Sequence, residues 1–166
     1  TIPEKKFREL AAYARAKNVG LLLWYNSAGP YTRVYEVGPL DRVHSHALRV
    51  KEFTRLQAMG IKGIKVDFFQ SDKQVIMKYY EGVAKDAADF HLLFNAHSAT
   101  IPRGLYRTYP NFLSMEAVKG AEQYPQKDFT QKAAMWNTIL PFTRNVVGPM
   151  DYTPVTFSDR GAANNE

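Results

Sequence analysis

The sequence contains no cysteine, which excludes disulfide bonds, catalysis by a thiolate and zinc sites built from cysteine. It has no apolar run close to the roughly 20 residues that a membrane-spanning helix needs, so we expect no contact with a membrane. The N-terminus carries neither an initiator methionine nor the apolar stretch of a signal peptide. These two absences lead us to expect a processed or excised segment.

Clustered positive charge is missing as well. The 22 Lys and Arg residues against 16 Asp and Glu residues give a net charge of +6, but the basic residues are dispersed along the chain. Dispersed charge is typical of solvated faces, whereas nucleic-acid binding needs a concentrated basic patch. With 45% hydrophobic and 13% aromatic residues, the 166-residue chain can form one ordinary core. We therefore expect one domain, or part of one, that binds no nucleic acid.

Patterns typical of helices and of short strands alternate along the chain. Apolar residues at helical spacing predict helices at 3–17, 46–59, 72–88 and 128–139. Short apolar runs predict strands at 19–24, 61–66, 91–95, 112–115 and 145–150. Ser71, Asp128 and Thr130 are candidate N-terminal caps, and Gly60 fits a left-handed C-terminal cap.

This alternation predicts an α/β fold with a parallel sheet, in one of two layouts. A doubly wound open sheet usually carries a glycine-rich phosphate turn after its first strand, and neither G-x-G-x-x-G nor G-x-x-x-x-G-K-[ST] occurs here. A (β/α)8 barrel of the TIM type places polar residues at the C-terminal ends of its strands. Five polar residues fit that placement, which favours the barrel: Asn26, Asp67, His97, Glu116 and Asp151.

The chain is too short for a whole barrel, since a complete one needs roughly 250 residues. We expect a partial barrel of about five βα units in residues 1–157, followed by a flexible tail in residues 158–166. A partial barrel exposes two unpaired strand edges and the apolar inner faces of its helices. Such surfaces favour self-association.

Two segments end on carboxylates where strands are predicted to end, at Asp67 and at Glu116. A carboxylate at the end of an apolar strand is costly to hold, so chemistry is the first explanation to test. Two carboxyl groups on either side of a sugar can hydrolyse a glycosidic bond, one as acid and the other as nucleophile or base. Asp67 and either Glu116 or Glu122 are candidates for that pair. On spacing alone, Asp67 could equally cap the next helix or pair with Lys65.

Five segments carry more specific information when they are taken together. They are KVDFF at 65–69, NAH at 95–97, PRGLYRTYPN at 102–111, EAVKGAE at 116–122 and LPFTRNVVGPMDYTP at 140–154. In this order they resemble the catalytic barrel of glycoside hydrolase family 97. The resemblance covers nearly the whole chain and is far more specific than any single triplet.

The resemblance implies a retaining, exo-acting α-glycoside hydrolase, an α-galactosidase ahead of an α-glucosidase, that acts on an oligosaccharide or another α-glycoside. It implies that Asp67 is the nucleophile and that Glu122 is the general acid/base. It also implies that Glu116 helps to hold a Ca2+ ion near the sugar. Because one residue cannot complete a shell of about six to eight oxygen ligands, the other ligands must come from water, sugar or further polypeptide.

Four further residues are expected to bind substrate by the same resemblance. Lys65 matches a lysine that bonds to sugar hydroxyls in similar barrels, and His97 matches a histidine of the active-site wall. Trp24 and Asp151 are weaker candidates, for which packing or capping explains the residue as well. A periplasmic or secreted location in a bacterium also follows from the resemblance.

One position distinguishes the two mechanisms of the family. Inverting members carry a glutamate base directly after the histidine, and this chain has Ser98 there. A serine hydroxyl has too high a pKa to activate water unaided, so Asp67 has to attack the anomeric carbon itself. Retention through a covalent glycosyl-enzyme follows, with the carboxyl groups of Asp67 and Glu122 about 5 to 5.5 Å apart.

Two other readings of the residues stay open. The chain could be a structural or sugar-binding fragment without turnover, since catalysis needs groups placed within a fraction of an ångström. Alternatively, Lys62 or Lys65 could form a Schiff base, as in barrel aldolases.

Overall fold

The computed structural model describes residues 3–32, 37–124 and 126–153; the predicted tail at 158–166 lies outside the described residues. The helices are α1 Glu4–Ala16, α2 His46–Met59, α3 Gln74–Asp89, α4 Leu105–Thr108 and α5 Lys127–Ile139. The strands are β1 Leu22–Asn26, β2 Gly63–Asp67, β3 Leu93–Ala96 and β4 Phe112–Met115. Short 3-10 helices occur at Ala121–Gln123, Leu140–Phe142 and Arg144–Val147.

The strands form one parallel sheet in the order β1-β2-β3-β4. The predicted α/β fold with a parallel sheet is therefore confirmed. Strand β4 was predicted with the bounds that the structure has. Because the order in the sheet follows the order in the chain, the carboxyl ends of successive strands lie side by side along one edge.

Three strands begin later than the apolar runs predicted. The N–H groups of Val19, Ile61 and Leu92 donate to carbonyls in the last turns of α1, α2 and α3. These apolar residues therefore end the preceding helix, because the helix C-terminus leaves carbonyl groups without partners. The strands start only after that connection; β1 and β2 end on the polar residues Asn26 and Asp67, and β3 ends one residue before His97.

The strand predicted at 145–150 is wrong for most of its length. The segment Arg144–Val147 is a 3-10 helix, and Met150 alone pairs with Met115 in an isolated parallel bridge. Pro149 has no N–H to give to a sheet ladder. The carbonyl of Gly148 accepts from the guanidinium of Arg144 at 2.9 Å, whereas the carbonyl of Pro149 accepts from the Met115 N–H at 3.3 Å.

The helix caps follow the prediction only in part. Gly60 ends α2 with φ of 79°, as predicted. The cap at the start of α2 is Ser45, which was not predicted and which accepts a hydrogen bond from the Leu48 N–H at 3.4 Å. Helix α5 starts at Lys127, one residue before the predicted cap Asp128. Asp128 instead lies in the first turn, where its negative charge interacts favourably with the helix dipole. Ser71 precedes the start of α3 and accepts from the Lys73 N–H instead. Within the described part of the chain, each helix is too short or too polar to cross a membrane.

The core lies between one face of the sheet and helices α2 and α3. Four aromatic rings at its centre are at most 2% exposed: Phe69, Tyr80, Phe94 and Phe112. Phe94 stacks on Phe112 with ring centroids 4.4 Å apart, and Phe69 stacks on Tyr80 at 4.0 Å. Side chains alternate between the two faces of a strand, so the opposite face receives the intervening residues.

That opposite face is polar. Trp24, Lys65, Asn95 and Ser114 occupy one row across the four strands. Trp24, Lys65 and Ser114 are half-buried, whereas the apolar residues of the core face are fully buried. Helices α2 and α3 thus cover one face of the sheet, and the opposite, polar face can hold a site.

The central rings dominate the stability of this core. Replacing Phe94 by Ala should lower the free energy of unfolding by about 3 to 5 kcal/mol, because the substitution leaves a cavity beside Phe112. Leu113→Ala is the matched control, since Leu113 is 41% exposed on the neighbouring strand and should cost about 1 kcal/mol or less. Urea unfolding followed by circular dichroism measures both values. Equal losses in the two variants would contradict this account of the core.

Candidate active site

The predicted site residues meet at the carboxyl edge of the sheet. Asp67 is the last residue of β2, while His97 and Glu116 directly follow β3 and β4. Asp151 follows the residue that bridges to β4. Hydrogen bonds and close contacts between neighbours connect all four of these side chains, partly through Ser98. The parallel topology therefore places together residues that are far apart in the chain.

Asp67 is half-buried and is held by three donors. Its Oδ1 accepts from its neighbour's backbone, the Phe68 N–H, at 2.7 Å and from the Ser98 hydroxyl at 2.9 Å. Its Oδ2 accepts a longer hydrogen bond from the indole N–H of Trp24, at 3.2 Å. The predicted alternative, in which Asp67 caps the next helix, is wrong, because α3 begins at Gln74 with Lys73 in the capping position.

Trp24 and Lys65 lie in the same row of the polar face. The ring of Trp24 also meets the ring of Phe68 edge to face, with centroids 5.8 Å apart. The loop after β1 folds against this indole, since a Cβ on Gly38 would lie 2.1 Å from it. Trp24 is thus held by its neighbours and helps to orient Asp67, and Lys65 lies beside it in the register of the next strand.

His97 forms the centre of a buried polar chain. It is 2% exposed, and its Nε2 lies 2.5 Å from Oδ2 of Asp151. The amide of Asn95 donates to the same carboxylate oxygen at 3.0 Å and to the Ser114 hydroxyl at 2.8 Å. The hydrogen bond from His97 lowers the pKa of Asp151 to about 2. Asp151 is therefore ionised at any ordinary pH.

Glu116 carries the opposite shift. Burial raises the pKa of its carboxyl, and the negative charges of Glu122 and Asp67 act in the same direction. Its Oε2 accepts from the Ser98 N–H at 2.6 Å, while its Oε1 lies 3.5 Å from Nδ1 of His97. Both of these partners favour the charged carboxylate and oppose the shift. Three acids thus act on one another at this edge.

Glu122 is exposed on the short helix Ala121–Gln123 that follows the loop after β4. Its carboxylate accepts from the amide of Gln123 at 3.1 Å. The spacing of about 5 to 5.5 Å between its carboxyl group and that of Asp67 stays a prediction. An exposed carboxyl at the rim of the site suits a group that must exchange protons with a leaving group and with water.

Sequence reasoning missed the role of Arg144, which is 8% exposed. Its guanidinium donates to the carbonyls of Met115 at 2.6 Å, Gly148 at 2.9 Å and Ala117 at 3.1 Å, with longer contacts to two more. The carbonyls belong to the end of β4 and to the segment before Met150. Arg144 therefore fixes the backbone on both sides of Glu116. An isolated arginine in an apolar motif was the only signal in the sequence.

A repeated backbone turn follows the strand ends. Phe68, Ser98 and Ala117 have φ values of 68°, 43° and 37°. Each comes directly after a site residue, Asp67 in the first case. Left-handed backbone is rare for residues with a side chain, and for a bulky one such as Phe68 it is strained. Strain of this kind clusters at functional sites.

A large cavity lies elsewhere. Its volume is about 560 Å3, and it is bounded by the loop 117–119 and by α5, with Phe129 and Trp136 in its wall. Its lining contains none of the predicted site residues, so the chemistry is expected on the polar face and not there. Among the described residues, no group of three or more His, Asp or Glu side chains is arranged to hold a metal ion.

Comparison with known proteins gives consistent similarities. A sequence model of the family described as Glycoside hydrolase 97 matches residues 1–118 of this chain. A curated relative from Streptomyces bingchenggensis, described as a probable retaining alpha-galactosidase, is 36% identical over 90% of this chain and 20% of its own length. A retaining alpha-galactosidase from Bacteroides thetaiotaomicron is 34% identical over 92% of this chain and 21% of its own length. The chain thus spans about a fifth of these relatives.

Solved structures agree with the fold. The crystal structure of a beta-arabinopyranosidase has a TM-score of 0.86 at 40% identity, over 92% of this chain and 24% of that chain. A glycoside hydrolase family 97 enzyme from Pseudoalteromonas sp. strain K8, in complex with panose, has a TM-score of 0.64 at 20% identity, over 92% and 24% of the two chains. At 20% identity the second likeness supports the shared fold alone.

The hydrogen bond between Asp151 and His97 predicts a pH-dependent stability. Because the pKa of Asp151 is lower in the folded protein, its stabilisation is present above about pH 4 and is lost as the pH falls towards 2. Asp151→Asn should lower the free energy of unfolding by about 1 to 2 kcal/mol at pH 6, and the difference should shrink below about pH 4. Urea unfolding across the pH range measures it.

Asp72→Asn is the matched control for this prediction. Asp72 is exposed and lies 3.6 Å from Arg103, so its replacement should change the unfolding free energy by about 0.5 kcal/mol or less. A pH-independent loss in Asp151→Asn would assign the residue a purely steric role.

Proposed function

Because the chain belongs to glycoside hydrolase family 97, we propose that it carries the catalytic carboxylates of a retaining, exo-acting α-glycosidase, an α-galactosidase ahead of other types. The observation that carries this proposal is the position of Asp67. Its half-buried carboxylate lies at the end of β2, within electrostatic reach of Glu116, at an edge where Glu122 also acts on Glu116. Paired carboxyl groups at one edge are what hydrolysis of a glycosidic bond requires.

In the proposed first step, Asp67 attacks the anomeric carbon and forms a glycosyl ester. The bond from that carbon to the leaving oxygen breaks, and the leaving oxygen takes the proton of Glu122. In the second step Glu122 removes a proton from water, whose oxygen bonds to the anomeric carbon and releases Asp67 as a carboxylate. Two inversions at one carbon give net retention.

Ser98 supports the retaining route because it places no carboxylate at the chain position directly after His97. Its hydroxyl donates to Asp67 at 2.9 Å, which orients the carboxylate that would act as the nucleophile. The Schiff-base alternative has less support. Lys62 precedes β2 and lies at the opposite end of that strand from Asp67.

We propose α-galactosides as the substrate class. One alternative, a β-L-arabinopyranoside, is favoured by similarity to a solved structure. The structure with 40% identity is that of a beta-arabinopyranosidase. An arabinopyranoside of the L series has the ring stereochemistry of a galactoside but lacks the hydroxymethyl group at C6, so one site can fit both. Values of kcat/KM for the aryl α-galactoside, the aryl β-L-arabinopyranoside and the aryl α-glucoside rank these candidates.

Contacts to the sugar are proposed for four side chains around Asp67. Lys65 lies one row below it on the open polar face and can donate to sugar hydroxyls. The indole of Trp24 offers an apolar surface next to the nucleophile. His97 and Asp151 are bonded to each other, so we assign them mainly to the shape and charge of the wall.

The polar face also supports the proposal of a partial barrel. The strands follow chain order, and in a closed barrel such a face becomes the interior. Open edges and exposed apolar residues such as Phe142, at 81%, and Val146, at 70%, suit self-association of the isolated chain. A single monomeric mass in light scattering over a wide concentration range would argue against self-association.

The alternative to an active enzyme is that the isolated chain folds as a structural or sugar-binding fragment and hydrolyses no substrate. Native helix content in circular dichroism with no hydrolysis of an aryl galactoside would favour it. We keep a periplasmic or secreted location in a bacterium as a proposal on family grounds. Fractionation of the source cells tests that location.

We further propose that a Ca2+ ion binds near the sugar with Glu116 as one ligand. The Oε1 atom of Glu116 is 3.5 Å from the ring of His97, beyond the usual hydrogen-bond length of about 2.7 to 3.2 Å, and so can accept a cation. The remaining ligands would be water, sugar or polypeptide outside the described residues. A bound Ca2+ would offset the charge of the clustered acids.

The nucleophile assignment predicts covalent labelling. An activated 2-deoxy-2-fluoro-galactoside should add one sugar to the protein, on the peptide that contains Asp67, as seen by mass spectrometry. Asp67→Asn should lose the label and at least about a thousandfold in kcat, because no other group can form the ester. Asp72→Asn serves as a surface control and should behave like the wild type. Full activity in Asp67→Asn would refute the assignment.

The calcium proposal has a readout that is independent of activity. After EDTA treatment, added Ca2+ should raise the melting temperature by a few degrees, because a ligand that binds the folded state stabilises it. Glu116→Gln should lose most of that shift, measured by differential scanning fluorimetry. Glu81→Gln, on an exposed face of α3, should keep it. An equal shift in all three proteins would place the ion elsewhere.

A further inference from the structure

Ser98 occupies an unusual place between the two acid-bearing strand ends. It follows His97 after β3, with Asp67 at the end of one neighbouring strand and Glu116 after the other. Its φ is +43°, in the left-handed region that residues with a side chain rarely adopt. Its carbonyl accepts from the Gln70 N–H at 2.8 Å. Neighbouring structure therefore holds Ser98 in a strained conformation, as is common at functional sites.

Ser98 contacts the two acids through different groups. Its hydroxyl donates to Oδ1 of Asp67 at 2.9 Å, and its backbone N–H donates to Oε2 of Glu116 at 2.6 Å. The backbone contact survives any substitution except proline, whereas the contact to Asp67 depends on the hydroxyl. The two contacts can therefore be separated by changing the side chain alone.

The two oxygens of Asp67 are not equivalent. Oδ1 accepts two short hydrogen bonds, from the Phe68 N–H at 2.7 Å and from the Ser98 hydroxyl at 2.9 Å. Oδ2 accepts the longer bond from the Trp24 indole at 3.2 Å. Oδ1 is thus fixed on the protein side, and Oδ2 keeps lone-pair capacity towards the polar face.

We propose that Oδ2 of Asp67 is the oxygen that attacks the anomeric carbon and that Ser98 is the positioning residue that makes it so. This inference rests on the retaining function proposed above. As Oδ2 bonds to the anomeric carbon, the bond to the leaving oxygen breaks and that oxygen takes the proton of Glu122. Oδ1 becomes the carbonyl oxygen of the ester and remains bonded to its two donors.

The same donors assist the second step. Water oxygen bonds to the anomeric carbon while Glu122 takes a proton from it, and the electron pair of the broken ester bond returns to Asp67. The carboxylate that re-forms is stabilised at Oδ1 by the hydroxyl of Ser98. Loss of that hydroxyl removes one of the two donors to Oδ1 and so weakens the restraint on the χ2 angle of Asp67. Misplacement by about 1 Å costs as much as a hundredfold in rate.

The experiment measures the rate of covalent labelling by 2-deoxy-2-fluoro-galactosyl fluoride in intact-mass spectra. Three variants are compared with the wild type: Ser98→Ala, Ser98→Gly and the control Ser71→Ala, whose hydroxyl accepts from the Lys73 N–H. Without the hydroxyl, the first-order labelling rate constant should fall about ten- to hundredfold, while the half-saturating concentration of the reagent stays within about twofold. Ser71→Ala should label at the wild-type rate.

Ser98→Gly separates positioning from backbone support. Gly adopts φ near +43° without strain. If Ser98 served only to support the backbone, Ser98→Gly would therefore label at the wild-type rate. If the hydroxyl is what acts, Ser98→Gly labels as slowly as Ser98→Ala. If both Ser98 variants label at the wild-type rate, the positioning role of Ser98 is overturned and the proposed function still stands. Absence of labelling at Asp67 in the wild type overturns the proposed function together with this inference.

Discussion

The parallel register of the four strands is the constraint on which the site depends. Parallel strands in chain order bring their carboxyl ends to one edge, so a polar residue at each end meets its neighbours there. Asp67 comes from β2, His97 from the end of β3 and Glu116 from the end of β4. None of these residues is near another in the chain. A shift of one residue in β2 or β4 would turn its acid towards the core face.

Holding several acids at one edge is costly, and the structure offsets that cost with specific donors. Ser98 donates to Asp67 and Glu116, and His97 lies between Glu116 and Asp151. The opposite pKa shifts of the last two acids follow from this arrangement: burial dominates for Glu116, and the ring of His97 dominates for Asp151. One edge can therefore hold carboxyl groups with different affinities for protons.

The sequence predicted the alternation, β4 and the cap at Gly60 because each depends on neighbours in the chain. Strand starts were wrong where Val19 and Ile61 end the preceding helix, since their apolar character fits either role. The contacts of Ser98 could not be predicted, because they require the register of three strands and a shift between β3 and β4 at Phe94 and Asn95. The buried guanidinium of Arg144 depends on the tertiary fold in the same way.

The position of Ser98 also bears on the choice between the retaining and the inverting route under the proposed function. The residue after His97 contacts the carboxylate of Asp67 directly. A glutamate at that position, as the inverting members have, would bring a second negative charge against Asp67 and remove the hydroxyl that orients it. A serine instead gives the carboxylate of Asp67 a donor. Under the proposed function, the side chain at this one backbone position therefore favours attack by the aspartate over direct attack by water.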